Sequence, residues 1–151
     1  MEQRGPAERN WLLVLEGMAD PVLRSRDFTR RALTAWHWLP VRTPAAREAV
    51  EDVLLLVSEV VANACLHGGG PGVLVLDCAD DRLRIEVTDS NPAPPVPSGD
   101  GRDPSRPGGH GLMIVDRLAR AWGTRPGAAG KCVWVEVACP GTLSGACPEP
   151  R

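Results

Sequence analysis

A chain of 151 residues, 43% hydrophobic and 24% charged, can close one hydrophobic core, which excludes a wholly disordered chain. Its net charge of -2, with no long basic run, argues against binding nucleic acid through the phosphates. No apolar stretch approaches the ~20 residues of a membrane span, and the polar segment Met1 to Asn10 lacks a signal-peptide core, so a cytoplasmic protein is expected.

The five cysteines stand at 65, 78, 132, 139 and 147. Their odd number and the lack of a C-x-x-C pair argue against a disulfide framework or zinc ribbon and favour small buried thiols. Basic residues are 16 arginines and one lysine, a ratio that fits the codon bias of a GC-rich genome. Proline (15) and glycine (16) are abundant, which requires at least one loop-rich segment.

In chain order, Trp11 to Leu15 reads as a first strand. Asp20-Pro21 reads as an N-cap followed by proline at the first helical position, opening a helix to about Trp38. Leu39-Pro40 stops it. Thr43-Pro44 repeats the cap signal, and a second helix should reach His67. Its stripe Val50, Val53, Leu54, Val57, Val61 and Ala64 faces a core. From Val53 to Leu66 its only polar residues are Ser58, Glu59 and Asn63. Placing Glu59 and Asn63 on so apolar a helix needs a specific reason, because burying unpaired polar groups is costly.

Gly68-Gly69-Gly70-Pro71-Gly72 ends that helix. Val73 to Cys78 and Arg82 to Asp89 read as a hairpin, with Leu83, Ile85 and Val87 inward. Ser90 to His110 holds six prolines and four glycines in 21 residues and is predicted to be a long mobile loop. Helical periodicity resumes from Gly111 to Ala121. A last hairpin pairs Trp122 to Arg125 with Cys132 to Ala138, and Pro140 to Arg151 is a loose tail. Strands in antiparallel pairs with helices on one side make an α+β two-layer sandwich with a mixed, mostly antiparallel sheet. The expected organisation is a flexible N-terminus at 1–9, one domain at 10–139 with a lid at 90–110, and a flexible tail at 140–151.

Three constellations carry chemistry. Glu59-x-x-x-Asn63 places a carboxylate and a carboxamide on one helix face. Such a pair can hold a hydrated magnesium ion and orient a nucleophile; the plain alternative is a surface pair worth roughly 0.2–0.5 kcal/mol. Asp89, at a strand end before Ser90-Asn91-Pro92, can accept a hydrogen bond from an exocyclic amine such as that of adenine, or else form an Asx turn. Gly108 to Val115 leads glycines into a helix N-terminus, where free N–H groups bind phosphate; the alternative there is a flexible hinge. It is not a P-loop.

Together these pieces resemble the GHKL superfamily of ATP-binding domains, and most closely the small actinobacterial anti-sigma-factor serine kinases. The resemblance is carried by Ser58 to Gly68 (SEVVANACLHG), Val87-Thr88-Asp89, Gly109 to Asp116 (GHGLMIVD), Gly130 to Trp134 (GKCVW) and the first-helix segment Phe28 to Leu33. It spans about residues 10 to 138. The resemblance implies that Asn63 chelates Mg2+ on ATP and that Glu59 is the catalytic base for a substrate serine. It implies further that Asp89 reads adenine, and that Gly109, His110, Gly111, Leu112, Lys131 and Cys132 complete the ATP site under a proline-rich lid. Members of that group phosphorylate an anti-anti-sigma (STAS-type) partner and sequester a sigma factor, often as homodimers.

Three positions depart from the family pattern. The first box lacks its glycines after Asp89. His110 replaces an arginine and brings less charge to a phosphate. Cys132 replaces a strand threonine. These departures leave a second reading, a weakly ATP-binding or non-catalytic regulator that acts by sequestering its partner. His67, near the helix end, reads as structural.

Overall fold

The computed structural model describes residues 2–3, 9–93 and 109–139. Strands β1 (Glu2–Gln3) and β2 (Asn10–Val14) precede helices α1 (Pro21–Ala35) and α2 (Pro44–Leu66). The hairpin β3 (Pro71–Cys78) and β4 (Arg82–Asp89) follows, then α3 (Gly109–Leu118) and the hairpin β5 (Ala121–Pro126) and β6 (Lys131–Ala138). The strands form one sheet in the order β1-β2-β3-β4-β6-β5, and every described neighbour pair is antiparallel. This is the α+β sandwich that the sequence implies. The stretches 94–108 and 140–151, which hold most of the expected lid and the expected tail, lie outside the described residues.

Alternation sets the layers. Leu83, Ile85, Val87 and Asp89 of β4 are buried while Arg82, Arg84, Glu86 and Thr88 are half-exposed. On β6, Val133, Val135 and Val137 share the buried side. The helices cover that side: α2 lies against β3 and β4 and is flanked by α1 and α3. Thr43 caps α2 as expected, its hydroxyl accepting from the Ala46 N–H at 3.0 Å.

Some boundaries differ from the sequence reading. Asp20 makes no side-chain cap; it sits in a left-handed conformation (φ 52°), which aspartate tolerates, and its carbonyl accepts the first helical bond from Arg24. Helix α1 ends at Ala35, not Trp38, because His37 turns left-handed (φ 65°). That turn lets Trp36 and Trp38, both almost fully buried, enter the core from beyond the helix. Trp36 and Phe28 pack edge-on against Trp11, at 5.9 and 5.8 Å between ring centres. Glu2–Gln3 adds an edge strand on β2, and α3 starts at Gly109, two residues early. Of the described cysteines, Cys65, Cys132 and Cys139 are free thiols, whereas Cys78 is disulfide-bonded, which the odd count did not suggest. Among the described residues no helix is long and apolar enough to cross a membrane.

The helix-free side of the sheet is tied by charges. Arg84 donates to Glu86 at 2.8 Å and to Glu136 at 3.0 Å, and stacks over Trp134 at 4.6 Å. Arg125 donates to Glu86 at 2.6 Å. Burial alone would raise the Glu86 carboxyl, but the hydrogen bonds from Arg125 and Arg84 outweigh it and hold it below its ordinary value. A depressed carboxyl stabilises the fold above the unfolded-chain pKa, about 4.3, and that contribution disappears as pH falls through the folded value. Melting temperatures taken from pH 6 to pH 3 should therefore fall less steeply for Glu86→Gln than for the wild type. Parallel curves would show that Glu86 carries none of the acid sensitivity.

Candidate functional site

Helix α2 carries Glu59 and Asn63 one turn apart, both half-buried, and neither side chain has a hydrogen-bond partner among the described residues. The helix closes just beyond them. The Asn63 carbonyl accepts from His67 N–H at 2.8 Å and Gly68 N–H at 3.1 Å. The next carbonyls are taken by the segment after β4. The Gly68 carbonyl accepts from the Ser90 N–H at 2.9 Å and the Ser90 hydroxyl at 3.2 Å. The His67 carbonyl accepts from Asn91 Nδ2 at 2.8 Å. Backbone carbonyls in the turn beyond a helix end need such partners, and here they come from the residues that follow Asp89.

Asp89 is pressed into this junction. A Cβ on Gly68 would lie 2.6 Å from the Asp89 carboxyl carbon, so only glycine lets α2 come this close. The Asp89 side chain is 3% exposed and faces Lys131, 7% exposed, directly across the β4–β6 ladder. The Lys131 ammonium donates to Asp89 Oδ1 at 3.1 Å and lies 3.0 Å from Oδ2. It also donates to the Asn91 carbonyl at 2.9 Å. The Asn91 N–H donates to Asp89 Oδ1 at 3.0 Å, which is the Asx turn that the local sequence allows. Asn91 Oδ1 in turn accepts from the Ala93 N–H at 3.0 Å.

The fold thus brings Asp89 and Lys131 together beneath the end of the helix that bears Glu59 and Asn63. Helix α3 packs along α2, with Gly109 and Gly111 in its first turn; the side chains of His110 and Leu112 lie outside the described residues. Cys132 is not part of this cluster. It alternates with Lys131 and lies on the helix-free side, with Sγ 3.8 Å from Glu86 Oε1. Burial, and then the Glu86 charge, push its thiol pKa up. The residue facing Asp89 is Lys131, and the signal for it was strand register together with its being the sole lysine of the chain.

Among the described residues no group of three or more His, Cys, Asp and Glu could hold a metal ion. The donors Glu59 and Asn63 fit a different mode, in which magnesium takes one or two protein oxygens and the rest from phosphate and water.

Gly68→Ala should lower stability by roughly 1–3 kcal/mol, because the added methyl must push Asp89 away from Lys131. Urea denaturation checks this; an unchanged midpoint would mean that the junction yields freely.

Comparison with curated proteins gives no match. A family model does match: the histidine kinase-like ATPase domain, over residues 22–137. That span runs from the start of α1 to the end of β6 and takes in Glu59, Asn63, Asp89 and Lys131. The chain belongs to the histidine kinase-like ATPase domain family.

Proposed function

We propose that this protein is a cytoplasmic, ATP-dependent serine protein kinase that also acts as an anti-sigma factor. In this reading it binds a sigma factor, phosphorylates a STAS-type anti-anti-sigma partner and works as a homodimer. The observation that carries the reading is the pair Glu59 and Asn63. Both lie on one face of α2, both lack a described partner, and their helix ends against Asp89.

Each residue then has a role. The Asn63 carboxamide oxygen is the magnesium ligand. Glu59 accepts the proton of the partner's serine hydroxyl as that oxygen attacks. Asp89 takes the adenine amine, and the α3 N-terminus offers N–H groups to phosphate, with glycines 109 and 111 permitting close approach. When bound, Mg-ATP supplies the phosphoryl group and neutralises its charge. Phosphoryl transfer asks mostly for positioning and charge stabilisation, which a rigid helix and a fixed strand end provide.

A second reading is favoured by one observation: Asp89 is already ion-paired with Lys131. On it the protein binds ATP weakly and regulates by sequestering its partner alone. Glu59→Ala separates the two. On the kinase reading it lowers phosphate transfer to the partner by about 100-fold or more while partner binding persists, and Asn63→Ala removes the magnesium dependence of ATP binding. Regulation unaffected by Glu59→Ala, together with no transfer by the wild type, would establish the sequestering reading instead.

A further inference from the structure

The carboxylate assigned above to the adenine amine already has an occupant. The Lys131 ammonium donates to Asp89 Oδ1 at 3.1 Å and lies 3.0 Å from Oδ2. Oδ1 also accepts from the Asn91 N–H at 3.0 Å. Beside Oδ2 stands Gly68, where a Cβ would lie 2.6 Å from that oxygen. The ammonium is equally committed. Its three N–H bonds have both Asp89 oxygens and the Asn91 carbonyl, at 2.9 Å, within reach. Both side chains are almost wholly buried. Among the described residues the donors and acceptors of the pair are therefore matched, and nothing of it is left over for a base.

An exocyclic amine is a neutral donor. It brings Asp89 a dipole where Lys131 brings a full opposite charge, and in a site screened so little by water the charge prevails. The amine therefore reaches Asp89 only in a state in which Lys131 has let go. A lysine suits such release, because its flexible four-carbon stem can carry the ammonium out to water. The same ammonium holds the Asn91 carbonyl, and Asn91 Nδ2 holds the His67 carbonyl beyond α2. Letting go thus frees the carboxylate and loosens the turn after β4 together. We propose that Lys131 is an autoinhibitory latch. It occupies Asp89 as an internal competitor, and an adenine nucleotide places its amine there only by displacing it. The proposal rests on the nucleotide-binding reading above and names the regulation of that site. A site whose competent state is a minor fraction binds its ligand more weakly by that fraction, so the latch sets the nucleotide affinity.

Lys131 is the one lysine of the chain, so labelling lysine with nitrogen-15 gives the full chain a single side-chain ammonium signal in NMR. The test titrates that sample with ADP and magnesium, and separately with pyrophosphate and magnesium, a probe that has no base. Without ligand the ammonium should be protected from exchange with water. Saturation with ADP should remove the protection, and pyrophosphate should leave it. By calorimetry, Lys131→Ala should bind ADP tighter than the wild type by about tenfold or more, with pyrophosphate affinity unchanged. The apolar exchange Asp89→Leu with Lys131→Met should show no such gain. A wild type that binds no ADP beside a Lys131→Ala that does would also support the latch. If Lys131→Ala fails to fold, the wild-type signal still decides. ADP bound with the ammonium still protected overturns the proposal and spares the nucleotide site, as does a folded Lys131→Ala that binds ADP no more tightly. Protection lost with pyrophosphate alone overturns it too, since the base would then not be what displaces Lys131. ADP binding by no form removes both this proposal and the reading beneath it.

Discussion

Asp89 is a carboxylate held almost wholly out of water, and the junction around it answers that one constraint. Stripping a carboxylate of water costs several kcal/mol, and a buried partner offsets the cost only when geometry and further hydrogen bonds are good. Lys131 provides the opposite charge from the facing position of the ladder, and the Asn91 N–H provides another donor. Removing either charge would leave the other buried and unpaired, a loss of about 3–5 kcal/mol in comparable pairs. The pair also needs space for backbone. Gly68 lets α2 close over the carboxylate, and Gly130 leaves room for the main chain of Asp89 and Ser90. Side chains at those two positions would push apart the elements that bury the pair.

The same segment satisfies two demands at once. The carbonyls just past the end of α2 also need partners, and the residues after Asp89 supply them: Ser90 on Gly68 and Asn91 on His67. The end of a 23-residue helix is thereby locked to the end of a strand. A rigid helix then sets every other spacing, because each residue rises about 1.5 Å along the axis. Asn63 lies about 7.5 Å of rise before Gly68, and Glu59 one further turn back. Polar side chains held at fixed spacing along one helix, with a buried carboxylate at its end, suit a chemistry of positioning better than one of reactive groups.

Much of this was legible in the sequence because its signals are local. Thr43-Pro44 marks the start of α2, the alternation of Leu83, Ile85 and Val87 marks the inner face of β4, and Glu59 and Asn63 stand out against an apolar helix. The local signals misled where tertiary contacts decide. Nothing in Trp36-His37-Trp38 announces that a left-handed His37 ends α1 early, since the reward is burial of two indoles in a core assembled from distant strands. The motif Gly130 to Trp134 offers Lys131 and Cys132 side by side. A one-residue shift in a strand reverses the face of a side chain, and the register with β4 puts Cys132 beside Glu86 and Lys131 beside Asp89. Pairing register is a property of two strands 42 residues apart, and no short motif contains it.

The two faces of the sheet solve the problem of charge in different ways. On the helix-free face, half-exposed arginines share carboxylates: Arg84 and Arg125 both reach Glu86, and Arg84 also reaches Glu136 while stacking on Trp134. A planar, multidentate guanidinium is suited to such sharing, and water screens whatever imbalance remains. On the inner face there is one pair among the described residues, and its cation is the one lysine of the chain. An arginine there would bring a bulkier, rigid fork into a space already closed by two glycines. A lysine brings a point charge whose donors can turn. The choice of cation thus follows the geometry: shared and stacked where the sheet is open, compact where helix and strand close over a buried carboxylate.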